Sequence, residues 1–279
     1  RNATGVQTCA LPIWLDLGMV RFQPSELTKL STPMMLAWFL SQTAPPPGFR
    51  QFLIAGALIL VPALLIAKQP DLGTALLVGS AGILVLFLAG LSNTIITLGL
   101  LALAAIVPVG WHFMHDYQKQ RVMMFLDPAQ DPLGAGYHSI QSQIAIGSGG
   151  LFGKGWMHGS QAQLEFLPER STDFIFAVIG EELGLLGQLL LISLYFAVIA
   201  RSLYLAAGAQ TTYARLVCGS FALTFFVYAF VNTGMVSGIL PVVGVPLPLV
   251  SYGGTAMVTL LASFGILMSL YGHRRLVGS

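Results

Sequence analysis

The residues best suited to chemistry lie in one short charged segment that leads into an apolar stretch. Glu165, Glu169, Arg170 and Asp173 fall within nine positions, and the apolar residues that follow are numerous enough for a membrane helix. Asp173 stands at the junction. A carboxylate there could take a proton from a hydroxyl group, as a general base does. Ionisable groups at or inside a membrane are costly to maintain, so function is the default interpretation.

The same junction also has a purely structural interpretation. Ser171, Thr172 or Asp173 could cap the N-terminus of the following helix by accepting hydrogen bonds from its free N–H groups. The helix dipole would keep an aspartate at that place ionised. The two roles are compatible, so spacing alone leaves catalysis open. Two more acids, Glu181 and Glu182, lie inside the apolar stretch itself.

Further ionisable residues lie at the ends of other apolar stretches. They are Glu26, Lys29, Lys68, Asp71, Lys119 and Arg121. If these ends share one side of a membrane, the residues predict a polar cavity that opens on that side. Ion pairs and snorkelling side chains at the membrane surface are the simpler alternative.

The composition is that of a membrane protein. Of 279 residues, 55% are hydrophobic and 9% are charged, whereas soluble domains carry roughly 25% charged residues. The net charge of +2 is too small and too dispersed to favour a nucleic-acid partner. The two cysteines, Cys9 and Cys218, are far apart, so neither a disulfide framework nor a cysteine metal site is expected.

Apolar stretches of about 20 residues predict seven membrane crossings. They are Pro24–Leu40, Phe52–Ala67, Leu72–Ala89, Thr94–Phe113, Asp173–Ala200, Leu216–Leu240 and Leu249–Tyr271. Residues 14–279 are therefore predicted to form one all-α polytopic membrane domain, with a large hydrophilic loop over about residues 116–172. Residues 1–13 fit neither a helix pattern nor a signal peptide, and we interpret them as a non-native artefact.

Charges in the short loops predict the orientation. These loops contain basic residues and no acid, namely Arg50, Arg201, Arg215, Arg274 and Arg275. Such loops face the cytoplasm. The loop over residues 116–172 and Asp173 then lie on the opposite, extracytoplasmic side.

Two glycine-rich segments need separate interpretations. The segment 147–155 resembles a phosphate-binding loop only superficially, because Gly155 replaces the required Ser or Thr; it favours a flexible loop that covers a substrate. The segment 234–255 contains Pro241, Pro246 and Pro248, which break helices. Irregular backbone at membrane depth requires a protein or water-filled environment, so this segment predicts a groove or, alternatively, a buried turn without a ligand.

Several segments together resemble the SEDS family of cell-wall polymerases. The matching segments are Arg21–Glu26, Gln69–Thr74, Asp131–Tyr137, Leu167–Phe174 and Pro246–Gly254. Residues 117–122 and 234–238 are more similar to the RodA type of this family than to the FtsW type. The family fold has ten transmembrane helices, so the resemblance implies that seven of the ten are present here. Ser171 departs from the family pattern, in which histidine is common at that position.

The resemblance implies a peptidoglycan glycosyltransferase that polymerises lipid II into glycan strands during cell elongation and releases undecaprenyl pyrophosphate. Asp173 matches the family's essential acid, which is proposed to deprotonate the acceptor sugar. The expected substrate-binding residues are Glu26, Lys29, Lys68, Asp71, Lys119, Arg121, Glu169, Arg170, Ser251 and Tyr252. A divalent cation, Mg²⁺ or Mn²⁺, is an option; Glu26 and Asp71 either shape the cavity or hold that cation, and the metal ligands are otherwise unknown.

The resemblance also implies a location and partners. The location is the bacterial cytoplasmic (inner) membrane, with the active site on the extracytoplasmic side. The partners are lipid II, a class B penicillin-binding protein and the elongation machinery. Two other functions stay open: a lipid II flippase or transporter, since broken helices also occur in transporters, and a scaffold that recruits a transpeptidase.

Overall fold

The computed structural model describes residues 15–16, 21–43, 47–69, 71–90, 137–164 and 170–272, with the single positions 97, 99, 101, 105, 119 and 123. Within these residues the regular secondary structure is helical apart from two paired strands, β1 (Leu15–Asp16) and β2 (Arg21–Phe22). The helices are α1 (Pro24–Ser41), α2 (Phe49–Ala67), α3 (Leu72–Leu88), α4 (Tyr137–Gly149), α5 (Ser160–Gln163), α6 (Ile175–Ala207), α7 (Thr212–Val236) and α8 (Gly254–Gly272). The prediction of an all-α polytopic membrane protein is confirmed.

Four of these helices are long and apolar enough to cross a membrane: α2, α6, α7 and α8. Helix α3 is also apolar but has 17 residues, and α1 carries a charged pair in its first two turns. The predicted crossing Thr94–Phe113, of which the structure describes positions 97, 99, 101 and 105, and the interpretation of residues 1–13 both stay predictions. Part of the predicted hydrophilic loop is helical, because α4 and α5 belong to it.

Local sequence signals explain most helix ends. Helix α1 begins at Pro24, as predicted, because proline suits the first turn of a helix. Asp71 caps α3 by accepting a hydrogen bond from the Thr74 N–H at 3.0 Å. Thr211 caps α7 in the same way, so this helix begins before the predicted Leu216. It ends before Leu240 because Gly238 adopts a φ of 78° and terminates the helix.

Helix α6 is broken at Gly184, which corrects the predicted crossing Asp173–Ala200. Gly184 has φ 66° and ψ −165°, which are not helical angles. The Gln188 side chain donates a hydrogen bond to the Phe176 carbonyl at 3.4 Å, although these residues would be about 18 Å apart along a straight helix. Residues 175–183 therefore fold back against residues 185–207. The second piece alone is about 34 Å long and long enough to cross a membrane.

Aromatic side chains hold the three C-terminal helices together. Tyr195 of α6 meets Phe225 of α7 edge to face at 5.5 Å, and Phe225 meets Phe264 of α8 at 5.4 Å. A second apolar cluster joins α1, α2, α3 and α7, with Leu36 and Val85 fully buried in it. These clusters make one helical body on which the polar residues are arranged.

The polar residues gather at one end of this body. The beginnings of α1 and α3 meet there, since Gln23 donates to Asp71 at 2.9 Å. The end of α7 is at the same side, where Asn232 contacts Asp173. At the opposite end, Thr43, Ala89 and Thr212 line one pocket, so α1 and α3 end where α7 begins.

Candidate active site

Asp173 lies directly before α6, with a partly exposed side chain. Its carbonyl oxygen accepts a hydrogen bond at 2.9 Å from Nδ2 of Asn232, which also donates to the Val245 carbonyl at 2.7 Å. Asn232 is completely buried. Its amide therefore ties the Asp173 backbone to α7 and to the proline-rich loop of residues 237–253.

The two residues before Asp173 are fixed in the same manner. Ser251 donates its hydroxyl to the Thr172 carbonyl at 2.5 Å and accepts from the Leu247 N–H at 2.7 Å. The Tyr252 N–H donates to the Ser171 carbonyl at 2.8 Å. Three successive carbonyls, those of residues 171, 172 and 173, are thus each held by a donor from α7 or the proline-rich loop.

The proline-rich loop is itself well anchored. Tyr195 donates its hydroxyl to the Pro248 carbonyl at 2.7 Å, and the backbone of α3 packs closely on the loop, since a Cβ at Gly73 would lie 2.6 Å from the Val243 oxygen. The Asp173 carboxylate lies over Gly244, where a Cβ would be 3.5 Å from Oδ2. The proline-rich loop therefore packs against the Asp173 carboxylate.

A buried ion pair lies beside the same loop. Lys29 and Glu26 of α1 are 2.5 Å apart, and Glu26 also accepts from the Thr259 hydroxyl of α8 at 2.9 Å. The Lys29 ammonium lies 5.3 Å from the centre of the Tyr228 ring. A cavity of about 40 Å³ separates these groups from the loop, and Ser251 is among its lining residues.

The carboxylates proposed to hold a cation are already occupied by protein donors. Asp71 accepts from Thr74 with one oxygen and from Gln23 with the other, and Glu26 accepts from Lys29 and Thr259. Among the described residues, no group of three or more His, Cys, Asp or Glu side chains is placed to hold a metal ion. Glu26 and Asp71 therefore do not fit a cation site, and the Mg²⁺ or Mn²⁺ option stays an untested prediction.

The other predicted site residues differ in their placement. Lys68 is exposed at the end of α2, Arg170 is partly exposed and Tyr252 is 81% exposed. Lys119 is a helical, partly exposed position, while Arg121 and Glu169 lie outside the described residues. Their binding to substrate stays a prediction, as it does for Glu26, Lys29, Asp71 and Ser251.

Two sequence interpretations need correction. The residue at the N-cap position of α6 is Phe174, without a side-chain cap hydrogen bond, rather than Ser171, Thr172 or Asp173. The glycine-rich segment 147–155 is not the flexible loop that the sequence favoured, because the Lys154 and Gly155 N–H groups donate to carbonyls of α6.

Several residues of the site were missed in the sequence. Asn232, Tyr228 and Thr259 are polar residues within largely apolar helices, and polar residues inside membrane helices are a signal that could have found them. Glu181 was noticed, but its partner Lys154, at 2.7 Å, was not.

Comparison with known proteins assigns the chain to a family. The FtsW, RodA and SpoVE family, described as cell cycle proteins, matches residues 5–276. The chain belongs to this family. This confirms the resemblance to the SEDS family that the sequence motifs indicated.

Individual relatives define the type within the SEDS family. The chain is 61% identical over 265 residues to the peptidoglycan glycosyltransferase MrdB of Escherichia coli, covering 95% of this chain and 72% of that protein. It is 36% identical over 263 residues to a probable peptidoglycan glycosyltransferase FtsW of Trichlorobacter lovleyi, covering 92% and 68%. The higher identity to MrdB, a RodA-type protein, confirms the RodA type.

Solved structures share the fold. One chain comes from a peptidoglycan synthase complex in which polymerization and crosslinking are coordinated; it matches with a TM-score of 0.82 at 33% identity, over 99% of this chain and 77% of that one. The rod shape determining protein RodA of Thermus thermophilus matches with a TM-score of 0.66 at 30% identity, over 99% and 74%.

Proposed function

We propose that this SEDS protein is a peptidoglycan glycosyltransferase, which polymerises lipid II into glycan strands during cell elongation. The observation that carries the proposal is the support of Asp173, where three successive carbonyls are hydrogen-bonded and the carboxylate stays partly exposed. A general base must be held in place and still reach its substrate. The relatives' names, peptidoglycan glycosyltransferases, supply the substrate class.

Asp173 would act on the acceptor sugar. Its carboxylate takes the proton from the 4-hydroxyl of the acceptor N-acetylglucosamine, and the resulting oxygen nucleophile forms a bond to the anomeric carbon of the donor N-acetylmuramic acid. The bond from that carbon to the pyrophosphate oxygen breaks, and undecaprenyl pyrophosphate leaves with the electron pair. Pyrophosphate is a good leaving group, so one carboxylate suffices where glycosidases use two.

The cations of the site have different suitability for the pyrophosphate. Lys29 is buried and neutralised by Glu26. We therefore propose that this pair maintains the shape of the cavity and does not bind the pyrophosphate. Arg170 and Lys68 are accessible at the polar end of the body, and we assign them to the substrate's phosphates. Arginine and lysine both suit phosphate recognition.

We further propose that Asp173 faces the outside of the bacterial cytoplasmic membrane. In support, Arg50, Arg201 and Arg215 belong to the helix ends opposite Asp173, and short basic loops remain cytoplasmic. A class B penicillin-binding protein is the proposed partner, since a structural relative comes from a complex of polymerization with crosslinking. The proposed wider assembly is the elongation machinery.

Reconstitution distinguishes this function from lipid II transport. Full-length protein with its transpeptidase partner is given fluorescent lipid II, and products are separated on a gel. We expect a ladder of glycan strands. The absence of polymer would contradict the proposal. If lipid II then moved across the membrane of protein-containing vesicles, the protein would be a flippase.

A further inference from the structure

The loop between α4 and α5 presents four large apolar side chains to its surroundings. Leu151, Phe152, Trp156 and Met157 are 61%, 78%, 72% and 64% exposed. We call residues 150–158 the apolar loop. Contiguous exposed apolar groups of this kind mark contact with a membrane or a protein.

The backbone of the apolar loop is paired with the break in α6. The N–H groups of Lys154 and Gly155 donate to the carbonyls of Glu181 and Glu182 at 2.9 and 3.0 Å. In the other direction, the Leu185 N–H donates to the Gly150 carbonyl at 2.9 Å, and that of Leu186 donates to the Leu151 carbonyl at 3.2 Å. These four hydrogen bonds pair backbone groups of the loop directly with backbone groups of α6.

The single charged side chain of the apolar loop is also neutralised. Lys154 is the only Asp, Glu, Lys or Arg between residues 150 and 164. Its ammonium lies 2.7 Å from the carboxylate of Glu181, which is completely buried and also accepts from the Ser160 hydroxyl at 3.0 Å. The loop therefore presents apolar side chains and no unpaired Lys, Arg, Asp or Glu.

The apolar loop continues the lipid-facing surface of α6. Directly after the break, Leu185, Leu186, Leu189 and Leu190 are 44%, 53%, 51% and 63% exposed. Because residues 185–207 cross the membrane, these leucines face lipid. The hydrogen bonds at Leu185 and Leu186 fix the loop against the beginning of that surface.

We propose that the apolar loop is immersed in the phospholipid leaflet on the Asp173 side, at the boundary of acyl chains and headgroups. Backbone in lipid needs its polar groups paired, and buried charges need to be neutralised; the four backbone hydrogen bonds to α6 and the Lys154–Glu181 ion pair serve these two needs. Tryptophan, here Trp156, is enriched at this boundary. Membrane crossing by α6 and the contacts of the loop carry this placement, independently of the proposed reaction.

Depth-dependent quenching tests the proposal. Phe152→Cys and Trp156→Cys are introduced separately into the full-length protein with its own cysteines replaced, labelled with a nitrobenzoxadiazole dye and placed in lipid nanodiscs. Leu190→Cys on the lipid-facing surface and Gln210→Cys in the exposed turn after α6 are the controls. We expect both loop labels to lose fluorescence with doxyl-labelled lipid, as at Leu190, and to be protected from aqueous iodide. Iodide quenching without lipid quenching, as at Gln210, would overturn the proposal and leave the surface to a protein partner.

A second measurement uses the unsubstituted protein. In liposomes, Met157 should be oxidised by peroxide as slowly as Met268, which is 62% exposed on α8. Oxidation of Met157 that is several times faster would place the loop in water and contradict the proposal.

Discussion

At the scale of single residues, the backbone positions Asp173. The carbonyls of residues 171–173 each accept a hydrogen bond, from Tyr252, Ser251 and Asn232 in turn. Each donor belongs to α7 or to the loop that follows it. A change in that region should therefore move the carboxylate without touching it.

Replacing Asn232 tests this support. In Asn232→Ala, the Asp173 and Val245 carbonyls each lose their hydrogen-bond donor. Each loss should lower the stability of the folded protein by roughly 1–3 kcal/mol. We expect the rate at saturating lipid II to fall about 10-fold to 100-fold, because small misplacements of a catalytic group are costly, with little change in KM. Thr233→Val is the matched control, since within the described part of the chain the Thr233 hydroxyl bonds only to carbonyls of its own helix. A wild-type rate in Asn232→Ala would show that the amide does not position Asp173.

The buried pair Glu26–Lys29 should behave as a unit. Removing one partner leaves an uncompensated buried charge, so Glu26→Gln should destabilise the protein by about 3–5 kcal/mol. The double change Glu26→Gln with Lys29→Met removes both charges and should regain most of the stability. Thermal unfolding in detergent measures the stability of the single and the double variant. Thr28→Val on the same helix is the control. Equal unfolding temperatures for Glu26→Gln and the wild type would contradict the buried pairing.

At the scale of elements, α6 acts as two helices that meet at Gly184. The break lets Asp173 lie beside the end of α7 instead of at the tip of a long straight helix. Helix α4 packs against the first piece so closely that a Cβ at Gly149 would overlap the Gly180 carbonyl oxygen. This close contact holds the broken helix in place.

Two neighbouring glycines of α4 provide the comparison. Gly149→Ala should destabilise the protein by about 1–3 kcal/mol, as overpacking of a tight contact does, and should lower activity. Gly147→Ala meets no atom within 4 Å and should be neutral or slightly stabilising. The unfolding temperatures of the two variants test this prediction. Equal unfolding temperatures would mean that α4 does not pack tightly on α6.

The sequence predicted the elements better than their junctions. Apolar length and the proline at Pro24 correctly placed the beginnings of α1 and α3, because these signals are local. The cap at Asp71 was not predicted. The helix beside the break at Gly184 is contacted by Lys154, which lies 27 positions before its partner Glu181. A contact at that separation cannot be inferred from helix periodicity. Asp173 was predicted from its position at the junction and from family motifs, and its catalytic role stays a prediction. Its support by Asn232 is visible only in the folded chain.

At the scale of the whole molecule, the helical body has one polar end and one basic end. The aligned part of the chain covers 72% of the E. coli MrdB chain. The polar end combines the Asp173 carboxylate, the cavity and the apolar loop. Such a one-sided arrangement suits a substrate whose lipid tail stays in the membrane while its sugars react beside it.

Labelling of intact cells tests the orientation. Tyr252→Cys lies at the exposed polar end and should react with a membrane-impermeant maleimide. Gln210→Cys lies at the basic end and should react only after the cells are permeabilised. The reversed pattern would place Asp173 on the cytoplasmic side and exclude a reaction outside the cell.

The most direct test compares the wild type with Asp173→Asn in the reconstituted complex with fluorescent lipid II. The amide cannot accept the acceptor's proton, so glycan polymer should fall by roughly 100-fold or more, while folding and lipid II binding are retained. Equal polymer from both proteins would contradict general-base catalysis by Asp173 and reduce this residue to a structural part of the junction.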